Sequence, residues 1–224
     1  MVDTTASLVT LSAGFVADAV GGRLVSGDRA RVFAAVSTDS RALTDPAVCA
    51  GTLFIALVGP HFDGHAFVGD LVQNRIGGLL VANPVSAPDT TVIIQVDDTL
   101  LALQRLARAV RRASGSRVVA ITGSAGKTTT KELTAALLGA RYRVFRNQGN
   151  LNNHIGLPLS LLELRTGPDI AVVELGMNHA GEIRTLVGIA EPDVRLWTNV
   201  GDAHIGHFGS REKIADAKAE ILEG

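Results

Sequence analysis

Two rhythms of apolar and polar residues run along the chain. Up to about Asp89 the apolar runs are short and broken by Gly and Pro. SAGFVADAV has helical spacing and ends at Gly21-Gly22, a glycine stop. RVFAAV, TLFIAL and GLLVA are compact apolar runs that predict strands. PVSAPDTT, Pro84 to Thr91, is a turn-rich connection at which a domain boundary is expected. Beyond it, strand and helix patterns alternate. TVIIQV, RVVAIT, YRVF, DIAVVELG and VRLWTNV predict strands. DTLLALQRLARAVRR (capped by Asp97 or Asp98), TTTKELTAALL, NNHIGLPLSLLEL, GEIRTLVGIA and SREKIADAKAEIL predict helices.

Such alternation means βαβ units and a parallel sheet. The runs VVAI and IAVVEL lack polar alternation, as strands covered on both faces do. The expected fold class is therefore α/β. A small N-terminal α/β domain spans residues 1–89, and a parallel-sheet domain spans residues 90–224. The last predicted element is a helix with no closing strand after it. The second sheet is thus expected to be incomplete and the chain to be the front part of a longer protein.

Composition narrows the function classes. The chain has 224 residues, 46% of them hydrophobic, enough for a sizeable core. Aromatics make up only 4%, so Val, Leu, Ile and Ala must fill that core. With 21 basic and 22 acidic residues, charge gives no case for nucleic acid or an anionic membrane as partner. RLARAVRR, Arg105 to Arg112, reads as one solvated helix face. The single cysteine, Cys49, excludes an internal disulfide and reads as a buried thiol. No basic residue precedes the first apolar stretch, and Asp18 interrupts it. Neither a signal peptide nor membrane insertion is expected, and a cytoplasmic location follows.

The segment with the clearest chemistry is ITGSAGKTTTKEL. Gly123, Ser124, Ala125, Gly126, Lys127 and Thr128 lie between a predicted strand and a predicted helix, the setting of a phosphate loop. Glycines let backbone N–H groups turn around an anion, and the helix start adds partial positive charge. Lys127 would reach the β- and γ-phosphates of a nucleotide, the Thr128 hydroxyl would ligate Mg²⁺, and Thr129 follows in the first turn. The longer pattern G-x-x-x-x-G-K-[ST] would have Gly at position 121, where this chain has Ile121, so the loop is a shorter G-x-x-G-K-T version. An ordinary strand-to-helix glycine turn is the plain alternative.

Ligands of a parallel sheet collect where its strands end. At that edge DIAVVELG delivers Glu174, then Asn178 and His179, and VRLWTNV delivers Asn199, Asp202, His204 and His207. Mg²⁺ prefers oxygen donors, so Glu174 suits it better than any histidine. Glu174 and His204 equally admit plain readings, as a charge leaving the core and a surface loop residue. Asn147, Asn150, Asn152 and Asn153 cluster in RNQGNLNNHIG, where amides suit either recognition of a polar ligand or capping of the following helix.

Together TGSAGKTTTKE, NQGNLNNHIGLPLSLLEL, VVELGMNHAGEI and TNVGDAHIGHFGSREKIADAKAEI resemble the Mur ligases, ATP-dependent amide-forming enzymes of bacterial peptidoglycan synthesis. The resemblance runs from about Leu11 to the end. STDSRAL…GTLFIALVGPHFDGHAFV is similar to the segment that holds the UDP end of the substrate, which implies UDP contacts for Ser40, Arg41, His61, Asp63, Gly64 and His65. Arg41 is either a diphosphate partner or a loop anchor. The ELGMNHAGEI and AHIGHFGS…IADAKAEI strings point within the family to the branch that adds D-alanyl-D-alanine to UDP-N-acetylmuramoyl-tripeptide.

The resemblance implies a P-loop ATPase domain using ATP and Mg²⁺, an acyl-phosphate intermediate, and a further C-terminal domain absent here. It also implies a monomer when the protein is complete. Lys127, Glu174, His204 and Lys218 are then the catalytic set, with Thr128, Glu174 and His204 on the metal and Asn199 beside the nucleotide. Asn150, Asn153 and Asn178 match positions near the muramyl peptide and the reacting phosphate. Lys218 aligns with a lysine that some relatives carbamylate, and it reads otherwise as a solvated helix residue.

Two other classes stand beside this one. A folylpolyglutamate-like ligase of the same superfamily would lack the DSR…GTLFIAL…DGHAF segment, which this chain has. A non-catalytic nucleotide- or UDP-sugar-binding fragment would share every motif. A GTPase is disfavoured, because no N-K-x-D string occurs.

Overall fold

A computed structural model describes residues 7–60, 62–203 and 205–223. The chain divides into two compact units, Thr10–Leu106 and the chain from Ala107 onward, the latter with the described residues before Thr10.

The first unit contains α1 (Ala13–Val20), β1 (Arg23–Ser26), β2 (Ala35–Ser37), α2 (Pro46–Ala50) and β3 (Thr52–Ile55). A small antiparallel pair, β4 (Val58–Gly59) and β5 (Phe62–Asp63), precedes α3 (Val68–Gln73), β6 (Gly78–Val81) and β7 (Val92–Gln95). Helix α1 starts where the Ser12 hydroxyl accepts from Phe15 N, and it stops at Gly21, whose φ of 68° is left-handed. The five-stranded sheet has the order β1-β7-β6-β3-β2, with β2, β3, β6 and β7 parallel and β1 antiparallel at the edge. Phe54, Leu79, Val81 and Ile93 face one core with Leu43, Cys49, Val68 and Leu71. The alternate residues Leu53, Ile55, Leu80 and Ile94 are buried as well, so the strands are covered on both faces.

Two features differ from the pattern reading. RLVS carries no strong strand signal, yet it pairs with β7 as a half-exposed edge strand. TVIIQV, placed by the sequence reading after the boundary at residue 89, forms β7 between β6 and β1 in the first sheet. The Pro84–Thr91 connection therefore returns the chain to the same sheet, and the division between units falls inside α4 (Thr99–Ser114).

The second unit continues with β8 (Arg117–Thr122), α5 (Lys127–Gly139), β9 (Val144–Arg146), α6 (Gly156–Leu162) and β10 (Ile170–Glu174). Then come α7 (Glu182–Ala190), β11 (Val194–Trp197), α8 (Ile205–Phe208) and α9 (Arg211–Ala219). All pairings in its sheet are parallel, in the order β11-β8-β10-β9. The chain thus runs from β8 to one side, to β9 and β10, and then crosses to β11 on the other. That reversal puts a switch point at the carboxyl end of β8.

The arginines of α4 do not form a plainly solvated face. Arg111, only 12% exposed, donates to the carbonyls of Ala190 and Glu191 and pairs with Asp193, satisfying the end of α7. Arg108 and Arg112 pair with Glu191, whose carboxyl is held down at about 2, chiefly by the Arg112 hydrogen bond. Among the described residues no helix is long and apolar enough to cross a membrane.

Leu161 on α6 is fully buried, whereas Leu137 on α5 is 78% exposed. Leu161→Ala should cost about 2–5 kcal/mol and Leu137→Ala no more than about 0.5 kcal/mol. Urea unfolding followed by the fluorescence of Trp197, the sole tryptophan, in β11 of the same unit, measures both.

Candidate active site

The loop after β8 is shaped by close approach. A Cβ at Gly123 would lie 1.8 Å from Thr198 Oγ1, so that position needs glycine. Gly126, at φ 78°, caps α5, and no side chain caps the helix start. The first-turn amides of Lys127, Thr128 and Thr129 are therefore positioned as anion donors. Lys127 Nζ donates to Gly123 O at 2.8 Å.

The residues after β11 brace this loop. Asn199 accepts from Ser124 N through its carbonyl and from Ala125 N through its side chain, at 3.1 and 3.0 Å. Asn199 Nδ2 and Thr198 Oγ1 both donate to Ala125 O, and Ser124 Oγ donates to Gly201 O. Asn199, expected beside the nucleotide, is thus bonded to the loop itself.

Glu174 ends β10 opposite Ile121 of β8, which sets its carboxylate beside the helix start. Thr128 Oγ1 donates to Glu174 Oε2 at 2.9 Å, and Asn152 Nδ2 donates to Oε1 at 2.8 Å. Glu174 is 4% exposed, and its amide donates to Asn147 Oδ1. Gly176 makes room for Asn152, because a Cβ there would lie 2.7 Å from the Asn152 side-chain oxygen. A hydroxyl and a carboxylate at a helix start with open amides are hard oxygen donors, and this pair fits Mg²⁺, which keeps several waters of its own. Among the described residues no group of three His, Cys, Asp or Glu could hold a metal. His204 lies outside the described residues.

The asparagine cluster separates by role. Asn153 Oδ1 accepts from Ile155 N and Gly156 N, which secures the start of α6. Asn147 and Asn152 hold Glu174, a part that helix capping alone would not suggest. Asn150 and Asn178 are exposed, and Asn178 N donates to Glu182. Asp202 pairs with Arg211, and the rings of His179 and His207 meet edge-on at 5.7 Å.

Lys218 on α9 is 2% exposed, so the solvated reading of it does not hold. Burial first, and the nearby charge of Lys127 second, lower its ammonium from 10.5 to about 8.

In the first unit, Arg41 forms two bonds to Asp39, beside Ser40, and its side chain is 89% exposed. Asp63 Oδ1 accepts from His65 N and, at 2.6 Å, from His65 Nδ1. His65 Nε2 accepts from Ala82 N and Asn83 N, so Nδ1 carries the ring proton and both ring nitrogens are used within the fold. Gly64 is buried where a Cβ would meet the Ala56 backbone. His61 lies outside the described residues. A cavity of about 540 Å³ at the carboxyl ends of β6 and β7 is lined by Arg23, Asn83, Gln95 and Asp97, among others. None of these polar residues forms a motif in sequence; only strand order brings them together.

Comparison with known proteins adds a second line. A family model, the Mur ligase middle domain, matches residues 121–224. The UDP-N-acetylmuramoyl-tripeptide–D-alanyl-D-alanine ligase of Bacillus subtilis is 47% identical over 193 residues, which are 84% of this chain and 40% of that protein. The Escherichia coli protein of the same name is 41% identical over 217 residues, 97% of this chain and 46% of that one. A crystal structure of MurF from Acinetobacter baumannii matches with a TM-score of 0.84 at 37% identity, over 96% of this chain and 46% of that chain. A MurF ligase from Thermotoga maritima in complex with ADP matches with a TM-score of 0.75 at 36% identity, over 84% and 43%. The chain spans less than half the length of these relatives.

A buried ammonium costs the folded state as long as it stays charged. For Lys218 that cost is complete below about 8 and fades as pH rises from there toward 10.5. Lys218→Met should therefore raise the unfolding midpoint at pH 7, and the gain should shrink by pH 10. Thermal melts in bicarbonate-free buffer at both pH values read this directly; an equal gain at both would contradict it.

Proposed function

The chain belongs to the Mur ligase family, and from that premise we propose that it is the substrate- and ATP-binding part of an enzyme that joins D-alanyl-D-alanine to UDP-N-acetylmuramoyl-tripeptide. The observation that carries this reading is the Thr128–Glu174 pair at the open start of α5, one residue from Lys127. It provides oxygen donors for a cation, an ammonium and free helix amides for phosphates within one turn. The identity spread over both units favours this branch over a folylpolyglutamate-like ligase.

In the proposed reaction the terminal carboxylate of the tripeptide bonds to the γ-phosphorus of ATP, and ADP leaves. The amine of D-alanyl-D-alanine then attacks the acyl carbon, phosphate leaves, and the amine loses a proton. The protein's work is positioning and charge neutralisation. Lys127 would swing from the Gly123 carbonyl to the outer phosphates, and the amides of Lys127, Thr128 and Thr129 would hold the inner ones. Thr128 and Glu174, joined by His204, would hold Mg²⁺, which when bound offsets charge on the transferred phosphoryl group. Asn150, Asn153 and Asn178 would line the peptide side.

Ser40, Arg41, His61, Asp63, Gly64 and His65 would bind the UDP end. Arg41 would exchange Asp39 for the diphosphate, and His65 would act by holding Asp63 and the Ala82–Asn83 backbone in place. Dependence on ATP makes the cytoplasm the expected compartment.

Lys218 is assigned as a carbamate-forming lysine. Its neutral amine would add CO₂ and release a proton, leaving an anion that faces the Lys127 charge. In ¹³C-bicarbonate the chain should then give a carbamate carbon resonance that Lys218→Met lacks; a spectrum without that resonance removes the assignment.

Calorimetric titration tests the whole reading. UDP-N-acetylmuramoyl-tripeptide should bind more tightly than the UDP-muramyl-dipeptide. Lys127→Ala should weaken ATP binding by about 10- to 100-fold, the worth of one charge-assisted hydrogen bond, and leave tripeptide binding unchanged. Unaltered ATP affinity in that variant would sink the phosphate-loop assignment.

A further inference from the structure

One buried charge in the second unit has no part in the chemistry above. Lys131 lies on α5, one turn beyond Lys127, and is 1% exposed. The other residue buried on that helix is Ala135, so an apolar side chain would suit this position. Burying an ammonium is costly unless it is paired and hydrogen-bonded. Here the ammonium donates to the backbone carbonyl of Asn147 at 2.7 Å and lies 3.4 Å from Glu132. Glu132 also pairs with Arg146 at 2.7 Å, so α5 grips the end of β9 twice.

What Lys131 holds is the hub of the asparagine loop. Asn147, itself 1% exposed, accepts the Glu174 amide through Oδ1 and donates to Leu151 O through Nδ2. Further along the same loop, Asn152 accepts from Gly176 N through its carbonyl and donates to Glu174 Oε1 through its side chain. One loop therefore fixes both the main chain and the carboxylate of Glu174. With Oε1 tied to Asn152, Oε2 is the oxygen turned to Thr128.

We propose that Lys131 is a positioning residue for the Glu174 carboxylate, acting through the loop that carries Asn147 and Asn152; this rests on the nucleotide reading above. The ammonium orders the loop, the loop sets the carboxylate, and the carboxylate meets the cation that accompanies the nucleotide. Its removal should therefore act on the metal-dependent part of nucleotide affinity.

The test is a titration of the 224-residue chain with ADP, in EDTA and across a Mg²⁺ series, for the parent, Lys131→Met, Lys131→Gln and Asn152→Ala. In the variants the Mg²⁺ concentration giving half of the metal-dependent gain should rise by about tenfold or more, the usual effect of losing a group that orients a metal ligand. The loss should be confined to that gain, with ADP binding in EDTA little altered; a merely structural lysine would lower both alike or neither. Folded lysine variants with an unchanged Mg²⁺ midpoint overturn the proposal. If neither lysine variant folds, Asn152→Ala decides: a shifted midpoint supports the proposal and an unshifted one overturns it. A parent chain that binds no ADP with Mg²⁺ present removes the nucleotide reading, and this inference with it.

Discussion

The second unit is organised around the lateral register of two parallel strands. β10 runs beside β8 so that Glu174 stands opposite Ile121, two residues before the glycine turn. A slip of one residue would turn the Glu174 side chain to the other face of the sheet. The carboxylate would then lose Thr128 and Asn152, and the asparagine loop would lose its anchor. Register in turn depends on burial. All five residues of β10 are buried, so the apolar strand has one pairing that hides it on both faces.

Around that register the polar groups form one connected set. Lys131 holds Asn147, Asn147 and Asn152 hold Glu174, and Glu174 receives the Thr128 hydroxyl. On the other side of β8, Thr198 and Asn199 hold the loop from which α5 starts. Neighbouring strands on both sides of β8 thus supply groups that shape a single helix start. This is what a switch point offers, since connections diverging from one strand leave a crevice at its end.

The strand and helix alternation after Thr91 was legible because period and length separate buried strands from amphipathic helices. The glycine turn between β8 and α5 and the place of Glu174 at the end of β10 were legible because short motifs and strand ends are local. Other parts depend on partners distant in sequence. β1 exists because β7 offers it an edge. TVIIQV looks the same whichever sheet it joins, so the boundary at residue 89 had only the turn-rich Pro84–Thr91 segment behind it. RLARAVRR has the spacing of a solvated face, yet Arg111 ends on the carbonyls of α7 some 79 residues away. Lys131 and Lys218 are buried lysines, and no pattern of neighbours distinguishes them from exposed ones. Asn147, Asn152 and Asn153 look alike in sequence and part only when their hydrogen-bond partners are known.

The bracing of the glycine loop before α5 has a thermodynamic consequence. Ser124 and Ala125 already spend their amides on Asn199, and the Ala125 carbonyl receives two side-chain donors. The loop is thereby ordered when the chain folds, and the conformational entropy of ordering it is a cost of folding rather than of capturing a ligand. An anion arriving at α5 would meet amides that are already aligned, so little of the attraction would be consumed in arranging them. The loop thus uses the amides of Ser124 and Ala125 to hold its own shape, and the helix amides that follow are the ones left open.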